Sequence, residues 1–401
     1  MLIPKSNILR LIAGYYAAMA VLAWFGYVYM EDATPVKSMW LRFNNDTDDF
    51  YAGVLSFLAV SACVLLGFQL TSLWIKSEPR PADVNISFLA NPLFIMLATI
   101  TPIIIFIAGV GFEELFANQE YLIYSNRELR SAGGVMVILA TFFIGYANSA
   151  LKMPRIFQIY CYAVLTVYII LELSVSSRTA CALPFFAALG LYLGEKRNDY
   201  KTAGTLIASV IAGFLFLFVP LKLRGMPQLG LNNLRTNINE ILTEMTWEDY
   251  EYNIIDTVMN LTNGVSMVPA TLRSYEPKAE HLIDAFDPRP GGMTGFYARD
   301  EELKLTPVAP YNSIGIILAF GWPAFCLYFM GFGTWVKLMD ATMDNINHPA
   351  YKALQYSLMI NAVVLSTQYT LRTVNRFVVY TAVVYIITRV ILLKGVANRR
   401  A

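Results

Sequence analysis

Ten long apolar runs punctuate this chain, at 9–30, 51–75, 92–112, 132–151, 156–175, 180–194, 205–221, 313–333, 354–370 and 377–393. Most are close to the roughly 20 residues that a helix rising about 1.5 Å per residue needs to cross a hydrocarbon layer about 30 Å thick. A backbone inside lipid must satisfy its own hydrogen bonds, and in a single continuous segment only a helix does so. The fold class read from the sequence is therefore all-α, a polytopic transmembrane helix bundle of about ten spans. Composition agrees: 56% of the 401 residues are hydrophobic and 15% charged, against about a quarter charged in an ordinary soluble domain. Mean hydropathy is +0.49. A net charge of +1 with no basic face excludes a nucleic-acid partner.

Lysine and arginine set the expected orientation. With the N-terminus in the cytoplasm, the inside segments hold fourteen of them, whereas the short outside loops hold seven, Lys37, Arg42, Arg127, Arg130, Arg178, Arg372 and Arg376. The positive-inside rule then places both termini in the cytoplasm. The first run is long and lacks a small-residue cleavage site, so it is expected to be a retained anchor. Three regions follow: 1–221 with seven spans, 222–312 as one large loop on the outer side, and 313–401 with three spans. Within the loop, Ile238, Ile241, Leu242 and Met245 recur at helical spacing. Thr246 with Asp249 forms a variant capping box for a second helix, and Pro277–Phe286 a third. That third helix stops before Asp287-Pro-Arg-Pro-Gly-Gly, where prolines and glycines oppose continuation.

Arginine on the outer side is the recurrent chemical feature. Arg178 sits in a turn of a few residues between the fifth and sixth spans, and Arg224 lies just beyond the seventh. Arg372 and Arg376 fall in the short loop before the last span, and Arg289 belongs to the proline-glycine segment. A guanidinium offers planar paired donors that match phosphate and stays charged at any physiological pH. These five arginines, with Tyr311, are the candidate substrate-binding residues. Snorkelling to lipid phosphate or pairing with a carboxylate is the bland alternative for each. Candidate bases are His281, whose side-chain type titrates near neutrality, then Asp287, then Glu172 inside the fifth span. For Glu172 a salt bridge to an arginine is the favoured reading. The two histidines, His281 and His348, lack metal-ligand spacing, and the four cysteines lie in apolar runs, so no metal, cofactor or disulfide framework is expected. Walker and Rossmann glycine patterns and the serine nucleophile elbow are missing from the sequence, so any reaction is expected to run on an already activated substrate.

Three stretches together resemble the Wzy-type O-antigen polymerases, the oligosaccharide repeat-unit polymerases of bacterial inner membranes. They are Ser177-Arg178-Thr179 opening an apolar helix, Leu223-Arg224-Gly225 leading into the long loop, and Asp287–Thr294 followed by Pro310-Tyr-Asn-Ser-Ile-Gly at the return to the membrane. The resemblance covers less than a quarter of the chain. It implies a glycosyltransferase of the C-type fold class whose large loop is periplasmic and helical. Such an enzyme joins undecaprenyl-pyrophosphate-linked repeat units of O-antigen or capsule without a metal ion, in some systems beside a chain-length regulator. Related ligases commonly carry a histidine where this chain has Ala309-Pro310-Tyr311-Asn312, which favours a polymerase over a ligase. The rival reading is a lipid-linked oligosaccharide flippase or other secondary transporter. Transporters usually carry internal repeats and midplane charges, whereas here the charge gathers beside one loop. An acyltransferase and a non-catalytic scaffold are weaker alternatives.

Overall fold

The computed structural model describes residues 7–30, 46–75, 91–118, 124–150, 154–194, 200–289, 291–296, 300–306, 309–346 and 349–397. His348, Pro290 and several of the charges used to orient the chain, Lys37 and Arg42 among them, lie outside the described residues. Helix follows helix: α1 (Asn7–Met30), α2 (Thr47–Trp74), α3 (Pro92–Val110), α4 (Phe112–Phe116), α5 (Arg127–Ala150), α6 (Arg155–Ser174), α7 (Thr179–Gly194), α8 (Tyr200–Phe216) and α9 (Phe218–Leu223). The series continues with α10 (Leu231–Thr243), α11 (Trp247–Ser274), α12 (Ala279–Phe286), α13 (Gly291–Thr294), a 3-10 turn at Asp300–Leu303, α14 (Ser313–Ala319), α15 (Trp322–Asn345), α16 (Pro349–Ser366) and α17 (Leu371–Ala397). Among the described residues no strand forms, and only the isolated bridges Asn118 to Leu229 and Lys304 to Pro310 occur.

Seven helical segments among the described residues are long and apolar enough to cross a membrane: Ile8–Val28, Thr47–Trp74, Pro92–Val110, Glu128–Ser149, Arg155–Ser174, Gly204–Leu223 and Leu371–Val390. Thr179–Gly194 and Leu354–Ser366 are apolar but shorter. Leu55, Ile104, Ile159, Ile211 and Ile386 face outward, an arrangement suited to lipid tails, which are as apolar as leucine. The chain is a helical membrane protein.

The structure departs from the sequence reading at identifiable residues. The single run expected at 313–333 is two helices, because Gly321 takes a φ of +97°, which glycine adopts without steric cost. Pro323 then stands in the first turn of α15, where its missing N–H costs nothing. The last helix begins at Leu371 rather than at 377, so Arg372 and Arg376 stand on its first turns and not in a loop. The Thr246 capping box forms, with the Asp249 backbone N–H donating to the Thr246 hydroxyl at 3.2 Å and the Thr246 N–H donating to the Asp249 carboxylate at 3.0 Å. The helix it starts runs on to Ser274, through Pro269.

The chain divides into two compact units. One comprises the described residues within Met1–Asp83, Val258–Asn347 and Leu358–Ala401, and the other those within Val84–Thr257 and His348–Ser357. The 222–312 segment is therefore shared between the units instead of standing as a subdomain of its own. In the first unit α2 packs on α1 and α15, α14 on α15 and α17, and α12 on α17. The α2–α15 approach is close enough that a Cβ on Gly67 would lie 2.0 Å from the Met330 carbonyl oxygen, and one on Gly333 2.1 Å from that of Val64. Small residues permit such contact between membrane helices. In the second unit α5 packs on α3 and α7, α7 also on α6 and α8, and α10 on α6. Phe106, Val137, Ile144, Tyr168, Leu171 and Leu183 fill its core.

Candidate functional site

Arg178 owes its position to the way α6 ends. The Ser176 N–H donates to the Leu173 carbonyl and the Ser177 N–H to the Glu172 carbonyl, both at 2.9 Å. That pair of bonds is a Schellman motif, whose left-handed position is usually glycine. Here it is Ser176, with a φ of +55°. Two further contacts brace the turn. The Arg224 Nε–H donates to the Ser176 carbonyl at 3.2 Å, and the Gly230 N–H donates to the Ser174 carbonyl at 3.2 Å. Arg178 follows at the entrance to α7, half-buried, and its guanidinium makes no hydrogen bond or ion pair with a described residue. A charge at the end of an apolar span is costly without a partner, so this one is available to an anion.

Glu172, whose carbonyl is one of the two acceptors of that turn, has a fully buried carboxylate. Arg130 of α5 donates to it from Nη2 at 2.8 Å. The Arg130 guanidinium also stacks over Phe106, 4.3 Å from the ring centroid. Three glycines make the room. A Cβ on Gly109 would come within 2.2 Å of the Arg130 nitrogen, one on Gly133 within 2.8 Å of the Phe106 Cα, and one on Gly134 within 2.7 Å of Arg130 Nη1. Asn126 caps α5, accepting from the Leu129 N–H at 3.0 Å. Glu172 thus pairs with Arg130, the salt bridge favoured for it over work as a base, and its carboxylate is buried. Sequence reasoning placed Arg130 in a loop. Its spacing ahead of Gly133-Gly134 was the available signal.

In the other unit, Arg372 and Arg376 hold the segment after α12. Arg372 is buried, 3% exposed. Its Nη2 donates to the Arg289 carbonyl at 3.0 Å and to the Thr294 hydroxyl at 2.9 Å, while its plane lies over Phe296 at 4.2 Å. Arg376 Nη2 donates to the same Arg289 carbonyl at 2.9 Å. Asn375 fastens α12 by donating to the Ala285 carbonyl at 3.1 Å. Arg289 itself points outward and clasps Asp287, with Nη2 to Oδ2 at 2.7 Å and Nε to Oδ1 at 3.0 Å. That contact holds the Asp287 carboxyl well below the usual carboxylate range, which makes it a poor base. The two helix arginines therefore serve the chain's own carbonyls, and Arg372 in particular is not offered to a substrate.

His281 closes a third cluster. Its Nδ1 is 3.0 Å from the Tyr275 hydroxyl and its Nε2 is 3.7 Å from Glu302. Lys278 donates to the same carboxylate at 3.0 Å and holds it below its ordinary pKa, while burial pushes the Tyr275 hydroxyl up to about 12. Both ring nitrogens thus face partners, tying α12 to the end of α11 and to the 3-10 turn. Tyr311 is buried, and its hydroxyl donates to the Ser274 carbonyl at 3.1 Å. That bond ties Tyr311, the expected substrate-binding residue, to the end of α11. Its neighbour Asn312, passed over in the sequence, caps α14 by accepting from the Ile314 and Gly315 N–H groups at 2.7 and 3.1 Å, and it donates to the Gly264 carbonyl at 3.2 Å.

Neither a protein-family model, nor a curated protein, nor a solved structure matches this chain. The sequence-based candidates therefore stand on their geometry. Arg178 and Arg224 meet at one turn, Asp287, Arg289, Arg372 and Arg376 meet at one loop, and Glu172 and Tyr311 are absorbed into structure.

Proposed function

We propose that the protein polymerises lipid-pyrophosphate-linked oligosaccharide units at the outer face of a bacterial inner membrane, as a metal-independent glycosyltransferase. The observation that carries this reading is Arg178, a half-buried guanidinium that pairs with no described residue, on a braced turn at the end of a candidate membrane span. In the reaction, the bond between the donor sugar and the pyrophosphate breaks. The acceptor hydroxyl forms the new glycosidic bond, and its proton leaves to solvent or to the released pyrophosphate. Negative charge grows on the departing pyrophosphate as the bond breaks, and a preorganised cation there lowers the barrier.

Topology is read in the same way. Counting the two shorter apolar helices and α15 alongside the seven candidates gives ten crossings, and the lysine and arginine bias then favours cytoplasmic termini and an outer 222–312 segment. The partners that follow are undecaprenyl-pyrophosphate-linked glycans, membrane lipids and possible association with a chain-length regulator. The deciding experiment incubates purified protein with lipid-linked single repeat units. A ladder of polymer is expected. Movement of the lipid across vesicles without bond formation replaces this reading with a flippase.

A further inference from the structure

The buried ion pair of the second unit is used by none of the chemistry above, and it joins the turn that carries Arg178. Glu172 has two connections there. Its main-chain carbonyl accepts the Ser177 N–H and closes the Schellman motif, while its side chain is held by Arg130 across the α5–α6 contact. The other Glu172 oxygen, Oε1, is buried without a hydrogen-bond partner among the described residues, as is Arg130 Nε. A pair kept for stability alone has little reason for this form, because a buried charge pair with unsatisfied atoms barely offsets its desolvation, and apolar replacements often do as well.

We propose that Arg130 and Glu172 are positioning residues for Arg178, a reading that rests on the polymerase assignment. The pair does two things that an apolar contact would not. It anchors the last turn of α6 at the residue whose carbonyl sets the left-handed Ser176, and so fixes the direction in which Arg178 leaves the turn. It also occupies the carboxylate nearest to Arg178 in sequence, six residues away, so that Arg178 keeps its charge for a phosphate. Gly109 and Gly134 let the α5 backbone and the Arg130 side chain pack closely here, and stacking on Phe106 restricts the guanidinium plane. Positioning here means holding a group that touches substrate, since neither Arg130 nor Glu172 is exposed enough to do so itself.

The test compares the full-length protein with R130M, E172Q and R130M/E172Q in nanodiscs. Two quantities are read: hydrogen exchange at the Ser177 amide, and kcat and KM on a lipid-linked single repeat unit. Each single variant is expected to speed Ser177 exchange at least tenfold and to lower kcat at least tenfold. KM should stay within about twofold and exchange in α15 unchanged. The double variant is decisive because it leaves no unpaired charge in the core and should accumulate normally even where R130M does not. It is expected to keep the fast exchange and the low kcat. Recovery of both to the wild-type values would reduce the pair to a packing feature and overturn the proposal. A wild-type protein that makes no polymer would sink the polymerase reading instead, while the exchange arm would still report whether the pair sets the turn.

Discussion

Two arginine-bearing segments of this protein follow apolar or amphipathic helices and look alike in the sequence, yet they use their cations in opposite ways. At the turn after α6, main-chain bonds and a buried ion pair do the holding, and Arg178 is left without a partner among the described residues. In the segment after α12, arginines themselves do the holding: Arg372 and Arg376 donate to the Arg289 carbonyl, and Arg289 clasps Asp287. The difference teaches that a count of arginines near a membrane boundary is not a count of ligand-binding groups. A guanidinium is available only where other atoms satisfy the backbone around it.

The largest effect that could break this comparison is at Arg178 itself. Replacing it with alanine or lysine should lower kcat on the lipid-linked unit by on the order of a hundredfold, about 3 kcal/mol of transition-state stabilisation. Lysine should fail because it lacks the planar fork. The thermal midpoint should move little, since the side chain gives up no hydrogen bond or ion pair with a described residue. Polymer made at the wild-type rate by Arg178→Ala would remove the distinction between the two segments.

Arg372→Ala should behave in the reverse sense. It removes two charge-assisted hydrogen bonds and the contact with Phe296, together roughly 2–4 kcal/mol. The loss should appear as faster proteolysis of 287–294 and lower protein abundance, with the kcat of the surviving protein changed much less than in Arg178→Ala. A large kcat loss at normal abundance would return Arg372 to the substrate site.

Why the sequence separated these roles only in part follows from where the information lies. Hydrophobic runs are local, so seven of the ten expected runs coincide with helices long and apolar enough to cross a membrane, and 156–175 matches Arg155–Ser174 within one residue at each end. The break at Gly321 was not legible, because a Gly-Trp-Pro step inside an apolar run is compatible with a continuous span until the φ of glycine is known. The Thr246 capping box could be read because both of its partners lie three residues apart. The Arg130–Glu172 pair joins residues 42 positions apart, and nothing in either neighbourhood names the other. Arg372 was misplaced because its helix starts six residues before the apolar stretch does, on Asn375 and buried polar contacts rather than on hydrophobicity.

A smaller effect sharpens the account of the turn. Ser176 holds a left-handed conformation that costs a non-glycine residue about 1–2 kcal/mol, and its hydroxyl is buried with no hydrogen-bond partner among the described residues. Ser176→Gly should therefore stabilise the protein by about 1 kcal/mol, after allowing for the greater freedom of glycine in the unfolded chain. The check is a rise in thermal midpoint with kcat retained. A fall would mean that the serine side chain contributes something its geometry does not reveal.

The smallest effect concerns acid, which should act on the loop and spare the turn. Asp287 has a folded pKa held below its unfolded value of about 3.9 by the Arg289 guanidinium. The sign follows from proton binding: on acidification the unfolded chain takes up this proton first, so the pair's contribution is complete above about pH 5 and fades as pH falls through about 4 towards the folded value. Because the pair is solvent-accessible the contribution is small, and a difference measurement is needed. The thermal midpoint of the wild type minus that of Asp287→Asn should be constant from pH 8 to 5 and shrink below about pH 4. In protein labelled with ¹⁵N-arginine, the Arg289 Nε signal should stay in place through about pH 4, where a free aspartate is half protonated, and move only at lower pH. The Arg372 signal should move less, because Arg372 donates to a carbonyl and a hydroxyl that do not titrate in this range and feels the Asp287 charge through space without a direct clasp. An Arg289 signal that moves with a midpoint near 3.9 would mean that the clasp with Asp287 does not persist in solution, and would leave Arg289 as free for an anion as Arg178.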